Sequence, residues 1–305
     1  MIVISNKSGQ LGNRLFAFAH IIANAAVYKY TVVHLAFDDY AEYFESTSRD
    51  IYCRYPVQST NLKGQRLRSM LFFMNRAIFR ILKVLRFRES CLHEVLIADL
   101  PEYAFDRSEF FDLNRPDYIA TARRKQLVFL FGRFFRDYQN FQSQAVLIRK
   151  FFRPVVKLEN EIAAFIEVSR KGCDLLVGVH IRRGDFALFA NGKYFYTQKE
   201  YAEKMHELIR SKPGLHIRFV VCSNEPVNEE NFQGLDIVKG PGHLLKDMYI
   251  LSGCDLIMGP PSTYTLWASF YGQKPLCQIR HLHATISVEK FEILPAEILY
   301  NFTFS

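Results

Sequence analysis

The chain has 305 residues, of which 49% are hydrophobic and 23% are charged, as is typical of a globular protein with one large or two medium domains. Its formal net charge of +8 favours an anionic partner, namely a nucleotide, a nucleic acid or a membrane surface. The 6 cysteines form no close pair, which argues against a disulfide framework and a zinc site. Long apolar segments are lacking, so we expect a cytoplasmic protein that is at most peripheral to the inner face of the plasma membrane.

The start of the chain predicts a strand, a glycine turn, a helix and a second strand. Residues 1–5 read as the first strand and residues 31–36 as the second. A turn of this kind aims backbone N–H groups at an anion, which makes Gly12, Asn13 and Arg14 candidates for a binding site. The alternative is structural, with Asn13 as a helix cap and Arg14 in solvent.

A basic segment at residues 63–88 predicts an amphipathic helix. Apolar residues at helical spacing form one stripe, which comprises Leu67, Leu71, Met74, Ile78, Leu82 and Leu85. The basic residues of the other side are Arg76, Arg80 and Lys83. Two interpretations stay open: a helix packed on its own domain with a solvated basic face, or a helix in the interface of an anionic membrane. Nucleic-acid binding is disfavoured, because no recognition motif accompanies the charge.

The second half alternates strands and helices regularly, which predicts a doubly wound parallel sheet. A helix begins near the middle of the chain, and we place the domain boundary there. The predicted domains are therefore 1–156 and 157–305.

The predicted strand at 174–181 runs into the most charged loop of this half. Ligands of open α/β sheets sit past the carboxyl ends of strands. Arg182 and Arg183 would project to opposite sides of an extended backbone, so that one can face a ligand while the other meets protein. A guanidinium suits a phosphate or a carboxylate. The structural alternative is a surface ion-pair loop.

Two further predicted strands end in loops of small polar residues. Ser223 and Asn224 follow one strand, whereas Ser262 and Thr263 begin a helix after another. Hydroxyl and backbone N–H groups at a helix start bind phosphate well, although Ser262 can equally be a plain N-cap. Because the three loops are expected at one edge of the sheet, we predict an anion site there.

Four blocks of sequence together resemble the fucosyltransferase superfamily, and the bacterial α-1,2-fucosyltransferases most closely. They are Gly9–Phe16, His180–Phe186, Cys222–Asn224 and Asp247–Thr263. The most specific is the second, which reads His-Ile-Arg-Arg-Gly-Asp-Phe. Residues 37–160 carry nothing that matches.

The resemblance implies an α/β protein of GT-B type, in which two Rossmann-like domains with mainly parallel sheets face a cleft. Domain 1–156 would lie on the acceptor side, and domain 157–305 would bind the GDP-sugar donor. The implied reaction transfers fucose from GDP-fucose to a sugar hydroxyl of a glycan acceptor, with inversion and without a metal or another cofactor. We expect an α-1,2 linkage in a surface polysaccharide or glycolipid. The alternatives are a transferase for another nucleotide-sugar and an inactive relative that binds nucleotide or membrane.

The resemblance also implies roles for residues. One of Arg182 and Arg183 contacts the β-phosphate, and we expect it to be Arg183. His180 and Asp247 match the positions that hold the guanine and the ribose, and Asn13 matches an asparagine that reaches in from the first domain. The remaining expected donor contacts are Gly12, Ser223, Asn224, Ser262 and Thr263.

The sequence does not identify a general base. Members with a known base carry a glutamate shortly after the motif, whereas this chain has Ala187-Leu-Phe-Ala-Asn-Gly192 there. Asp185 is the nearest carboxylate, and its alternative role is to brace an arginine. The reaction can also proceed by dissociative departure of the leaving group without a strong base.

Overall fold

The computed structural model describes residues 1–7, 9–84, 92–96, 111–124, 127–131 and 135–293, without the side chains of residues 82, 83, 92–96, 131 and 185. The chain divides into two compact units, Met1–Val156 and Lys157–Ser305. Each unit contains a mainly parallel sheet with helices between its strands, which confirms the predicted α/β class.

The first unit contains a sheet of five strands. The elements of this unit are, in chain order, β1 (Ile2–Ile4), α1 (Leu11–Tyr28), β2 (Val32–Val33), a 3-10 helix (Leu35–Tyr43), α2 (Glu45–Ser48), β3 (Arg54–Tyr55), α3 (Gln65–Val84), β4 (Leu92–Leu96), β5 (Phe111–Asp112), α4 (Pro116–Arg124), β6 (Leu127–Phe131), β7 (Phe135–Arg136), α5 (Tyr138–Ser143) and α6 (Ala145–Phe151). The strand order is β3-β2-β1-β6-β4, and only β3 runs antiparallel to its neighbour. β5 and β7 form a separate parallel pair.

The predicted second strand, residues 31–36, is wrong in its second half. The chain leaves the sheet after β2 and forms the 3-10 helix Leu35–Tyr43. Phe37 of this helix packs against Phe18 of α1 and Phe152, with ring centroids 5.6 Å and 6.1 Å apart. Burial of this ring in the aromatic core stabilises the turn away from the sheet.

The helix predicted at 63–88 is present as α3, but the predicted apolar stripe is not its buried face. Met74 and Ile78 are each 49% exposed. The buried side chains are Arg68, Phe72 and Phe79. Arg68 is drawn inward because it donates hydrogen bonds to the carbonyls of Asp50 at 2.7 Å and Ser48 at 3.2 Å. Residues 85–88 and the side chains of Leu82 and Lys83 lie outside the described residues.

The second unit contains a parallel sheet of five strands. Its elements are, in chain order, α7 (Val156–Arg170), β8 (Leu175–Ile181), two short 3-10 helices (Gly184–Ala187 and Phe189–Gly192), α8 (Gln198–Ser211), β9 (Ile217–Ser223), a 3-10 helix (Glu229–Phe232), β10 (Asp236–Lys239), α9 (Leu244–Gly253), β11 (Leu256–Gly259), α10 (Thr263–Gly272), β12 (Leu276–Gln278) and a 3-10 helix (Val288–Lys290). The strand order is β10-β9-β8-β11-β12, so β8 lies at the centre.

β8 presents different side chains to the two faces of its sheet, because side chains alternate along a strand. Val177, Val179 and Ile181 belong to the hydrophobic core that also contains Tyr201 of α8. Gly178 lies on the other face, where an added Cβ would come within 2.7 Å of the Leu251 side chain of α9. The close approach of α9 explains a glycine in the centre of a buried strand.

Candidate functional site

The carboxyl ends of β9, β8 and β11 lie side by side, because β8 pairs in parallel with both neighbours. Ile181, at the end of β8, is the register partner of Ser223 at the end of β9. Val179 is the register partner of Met258, one residue before the end of β11. The structure therefore brings the three predicted loops to one edge of the sheet.

Arg183 is held by protein groups of its own unit. Its Nε donates to Glu225 Oε2 at 2.8 Å, and its guanidinium also donates to the carbonyl of Tyr196 at 2.9 Å. The guanidinium carbon lies 4.2 Å from the centre of the Phe195 ring. The two bonds use two of the five N–H donors of the guanidinium and join it to groups of its own unit, as expected of a residue that positions its loop.

Asn224 joins the loop after β8 to the loop after β9. Its Oδ1 accepts from the Arg183 backbone N–H at 2.8 Å, and its Nδ2 donates to the Arg183 carbonyl at 3.2 Å. Glu225 Oε1 accepts from the Gly184 N–H at 3.1 Å. Gly184 has a φ of +61°, a left-handed conformation that glycine adopts without strain. The turn that carries both arginines is therefore fixed from the neighbouring strand.

His180 lies on the face of β8 opposite Ile181, and Arg182 follows directly after the strand, with its guanidinium 5.3 Å from the centre of the Phe186 ring. His180 is 4% exposed, and its ring stacks on that of Tyr264 with centroids 4.5 Å apart and an angle of 25° between planes. Burial, followed by the positive charge of Arg182, lowers the pKa of His180 to about 3. The imidazole is therefore neutral near pH 7. Its buried Nδ1 forms no hydrogen bond within the described part of the chain.

Gly259 brings the end of β11 close to His180. An added Cβ would lie 2.9 Å from the His180 carbonyl oxygen, 3.1 Å from its Cβ and 3.2 Å from Cγ2 of Thr265. These distances leave no room for a side chain without a shift of the backbone. The glycine thus permits the packing of β8, β11 and α10 around the His180 ring.

Asp247 lies in the first turn of α9, which His243 caps. His243 Nδ1 accepts from the N–H groups of Leu245 and Lys246, each at 3.2 Å. Asp247 is 5% exposed, and its Oδ1 accepts from the His243 N–H at 3.4 Å. Burial raises the pKa of Asp247 to about 6, against the opposing effect of backbone N–H groups of His243 and Gly242. The carboxylate is therefore still charged at pH 7.

Ser262 caps α10, which is the structural role considered for it above. Its Oγ accepts from the Thr265 N–H at 3.3 Å. Thr263 is the first residue of the helix and is half-buried. In the same turn, the Tyr264 hydroxyl donates to the Leu244 carbonyl at 2.7 Å, which fixes the ring that stacks on His180. The start of α10 thus combines free first-turn N–H groups with a fixed aromatic ring.

The glycine turn of the first unit is held by Arg14. Its Nε donates to the Gly9 carbonyl at 3.1 Å, and its guanidinium donates to Asp39 Oδ2 at 2.7 Å. Arg14 is 9% exposed, so the alternative that placed it in solvent is wrong. Asn13 does not cap α1, because the helix starts before it.

Gly12 and Asn13 lie in the first turn of α1, with Gly12 buried and Asn13 half-buried. Gly9 has a φ of +67°, and a Cβ there would collide with the Asn13 side chain. The Asn13 amide forms no hydrogen bond to any described residue. Its conformation is set by packing against the glycine turn rather than by a polar partner.

The side chain of Asp185 lies outside the described residues, so both of its predicted roles stay predictions. In the described ranges, no group of three or more His, Cys, Asp or Glu side chains is arranged to hold a metal ion. Of the helices that the structure describes, none has the length and apolar character needed to span a membrane.

Sequence reasoning missed three features of this edge. Glu225 was not singled out, although a carboxylate beside Asn224 faces a loop with two arginines. Tyr264 was not recognised as the partner of His180, since only the structure shows which face α10 covers. Gly240 was missed as well: an added Cβ would lie 3.3 Å from Asp247 Oδ1, so the chain passes directly beside this carboxylate.

Solved structures with a similar fold are fucosyltransferases. The chain is similar to a mutant of Arabidopsis thaliana FUT1 in complex with GDP, with a TM-score of 0.57 and 12% identity over 95% of this chain and 73% of that chain. NodZ alpha-1,6-fucosyltransferase soaked with GDP-fucose, an enzyme from Bradyrhizobium, has a TM-score of 0.53 and 16% identity over 91% and 94%. POFUT1 in complex with GDP-fucose has a TM-score of 0.52 and 14% identity over 88% and 93%. At such identities the likeness establishes the fold.

The sequence itself establishes the family. No curated protein sequence matches the chain significantly. The profile of Glycosyl transferase family 11, however, matches residues 62–284, which cover most of the chain and include the whole edge from His180 to Thr263. The predicted membership of the fucosyltransferase superfamily is confirmed, and the chain belongs to glycosyl transferase family 11.

Proposed function

We propose that this protein transfers fucose from GDP-fucose to a sugar hydroxyl, with inversion and an α-1,2 linkage, in the synthesis of a surface polysaccharide or glycolipid. One observation carries the proposal. A neutral His180 is stacked on Tyr264 at the carboxyl end of β8, where the positive charge of Arg182 acts on it. A neutral ring whose Nδ1 bonds to no described residue, next to a cation, fits the polar edge of a nucleobase followed by a phosphate. Family membership, the complex of POFUT1 with GDP-fucose and the soaking of NodZ with GDP-fucose support the choice of donor.

Guanine is the base that Asp247 favours. The edge of guanine carries two neighbouring N–H donors, and a carboxylate is a pure acceptor of two oxygens. Asp247 is buried yet charged at pH 7. A base without this donor pair would leave the buried carboxylate without hydrogen bonds, so we expect such a base to bind much more weakly than guanine. Gly240 lets the backbone pack against this carboxylate, since an added Cβ would lie 2.8 Å from Cys222 Sγ and 3.3 Å from Asp247 Oδ1.

The departing diphosphate needs fixed positive charge and N–H donors. We assign the cation to Arg182 and not to Arg183, because the charge of Arg182 acts on the His180 and Tyr264 rings, whereas Arg183 donates to Glu225 and Tyr196. The guanidinium of Arg182 also lies 5.3 Å from the centre of the Phe186 ring. The N–H groups at the start of α10 are the second source, and Ser262 and Thr263 frame them. Arg183 then positions the loop.

In the proposed reaction the acceptor oxygen forms a bond to the anomeric carbon while the bond from that carbon to the diphosphate breaks. Stabilisation of the leaving group by Arg182 drives the departure, so a strong base is not required. The acceptor hydroxyl loses its proton in the same step. Our candidate to receive it is Asp185, the carboxylate nearest in sequence to Arg182 and Arg183. Asn13 remains our candidate for a contact from the first unit.

The test is release of GDP from GDP-fucose by the full-length protein, with glycan acceptors and with water, in buffer with and without EDTA. We expect GDP release that is stimulated by an acceptor, unchanged by EDTA, and much slower with GDP-mannose or UDP-sugars. The linkage is then read by NMR of the product. Absence of GDP binding by calorimetry, or loss of all turnover in EDTA, would refute the proposal.

Contact with an anionic membrane is a separate proposal, because it depends on α3 and not on the donor site.

A further inference from the structure

α3 exposes an apolar face that lies opposite its buried side. The buried side is formed by Arg68, Phe72 and Phe79. At 100° per residue, Phe73 and Ile81 point away from these residues. The apolar side chains of the exposed face, each between 49% and 80% exposed, are Met70, Phe73, Met74, Ile78, Ile81 and Val84. Single exposed apolar residues are ordinary, whereas a continuous row along a helix of about 30 Å is characteristic of an interaction surface.

The rotation of α3 about its axis is fixed by contacts within the first unit. Arg68 Nε donates to Glu42 Oε1 at 3.0 Å, in addition to its two bonds to backbone carbonyls. Near the other end of the helix, the Phe79 and Phe129 rings lie 4.9 Å apart. A polar anchor at one end and an aromatic anchor at the other hold the apolar face outward.

Arginines border this apolar face on one side. Arg76 and Arg80 are both exposed, and no described carboxylate pairs with them. The segment from Lys63 to Val84 contains no acidic residue, and it has two more basic residues, Arg66 in the first turn of α3 and Lys63 just before the helix. A helix with one wide apolar face, a basic border and no acid fits an anionic lipid interface, where the apolar side chains enter the acyl boundary and guanidinium groups reach the phosphates.

We propose that the protein binds an anionic lipid bilayer through α3, which lies along the surface with Phe73 and Ile81 inserted. The inserted face shares Met74 and Ile78 with the apolar stripe predicted from the sequence, but it is centred on Phe73 and Ile81. A second copy of the chain is a poorer occupant, because its identical face would bring arginines and no carboxylates. The proposal does not depend on the donor chemistry.

The test is sedimentation of the full-length protein with sucrose-loaded vesicles of phosphatidylcholine with 30% phosphatidylglycerol, and with vesicles of phosphatidylcholine alone. We expect binding to the anionic vesicles that weakens as salt is raised. Phe73→Ser/Ile81→Ser should lower the partition coefficient more than tenfold, and Arg76→Gln/Arg80→Gln should remove most of the preference for anionic vesicles. The matched controls are Val146→Ser/Val168→Ser, also exposed apolar residues, and Arg123→Gln/Arg124→Gln, also exposed arginines; both should bind like the wild type.

Folding is checked separately by circular dichroism and GDP binding, which the α3 variants should retain. Insertion is read with Phe73→Trp, whose fluorescence brominated lipids should quench, while the native Trp267 is fully buried and should not respond. Equal vesicle binding by the α3 and control variants, or an unquenched tryptophan at position 73, would overturn the proposal. Dimerisation in the absence of lipid that Phe73→Ser/Ile81→Ser abolishes would also overturn it, in favour of an interface between copies.

Discussion

Glu225 links the loop after β9 to the loop after β8: its Oε2 accepts a hydrogen bond from the Arg183 guanidinium at 2.8 Å, and its Oε1 accepts one from the Gly184 N–H at 3.1 Å. Glu225→Gln keeps the size of the side chain and removes its charge. Because the pair is partly exposed, we expect a loss of stability of about 0.5–1 kcal/mol, a fall in Tm of about 1–2 °C and weaker GDP binding by less than tenfold. Glu229→Gln, which loses an exposed ion pair with Lys239, is the calorimetric control and should change neither quantity.

Arg182 and Arg183 should separate into a catalytic and a positioning residue. Arg182→Lys keeps a positive charge but loses the planar fork, so kcat should fall by about 100-fold. Its Tm should change less than that of the Arg183 variant, because lysine can keep a cation contact with the Phe186 ring. Arg183→Lys loses the bonds to Glu225 and Tyr196, so its main effect should be a lower Tm, with a smaller loss of kcat. Steady-state kinetics and thermal unfolding of both variants measure the split. The reverse pattern would indicate that Arg183, and not Arg182, binds the phosphate.

Binding of GDP-fucose should weaken in acid because of Asp247. Burial raises the pKa of its carboxyl to about 6, and protonation removes an acceptor that guanine needs. The affinity should therefore be constant between pH 7 and 8 and fall below pH 6, approaching tenfold per pH unit. GDP-fucose is the ligand of choice, since the terminal phosphate of GDP itself titrates near this pH.

Asp247→Asn should weaken binding and abolish this acid step. His180→Asn should weaken binding but keep the step, because the pKa of His180 is about 3 and its ring does not titrate in this range. A step near pH 6.5 that disappears in His180→Asn would show that the histidine, and not the carboxylate, is the titrating group.

Asn13 and Arg14 are neighbours with different expected roles. Arg14→Ala removes the bonds to Gly9 and Asp39 from a buried position, so we expect a loss of about 1–3 kcal/mol and a clear fall in Tm. Asn13→Ala removes no hydrogen bond to a described residue, so Tm should stay within about 1 °C. If Asn13 contacts the reacting groups, its variant should lower kcat about 10-fold or more and leave the Kd for GDP unchanged. An unchanged kcat would show that Asn13 does not contact the reacting groups.

The parts of the fold that follow from local pattern were predictable. β8 lies within one residue of the strand predicted at 174–181, because an apolar run that passes into a charged loop is visible in the sequence. Prediction failed where tertiary contacts decide. The turn after β2 depends on the fit of Phe37 between distant rings, and the rotation of α3 depends on the buried Arg68, which no hydropathy pattern would place inside.

The candidate site shows the same division. The alternation of β8 implies that Arg182 and Arg183 diverge, but it does not say which one meets a ligand. That distinction comes from Glu225 and Tyr264, which lie about 40 to 80 positions away in the chain and have no local signal. The sequence therefore predicts which edge of the sheet carries the candidate site, whereas long-range contacts determine the role of each residue there.

The reciprocal bonds between Asn224 and the Arg183 backbone extend the β8–β9 ladder past its last strand residue, since an asparagine amide offers the same donor and acceptor as a peptide group. The two loops should therefore exchange their amide hydrogens as one cooperative segment. A loop already fixed in this way loses little conformational entropy when a diphosphate arrives, so more of the intrinsic binding energy remains for the transition state.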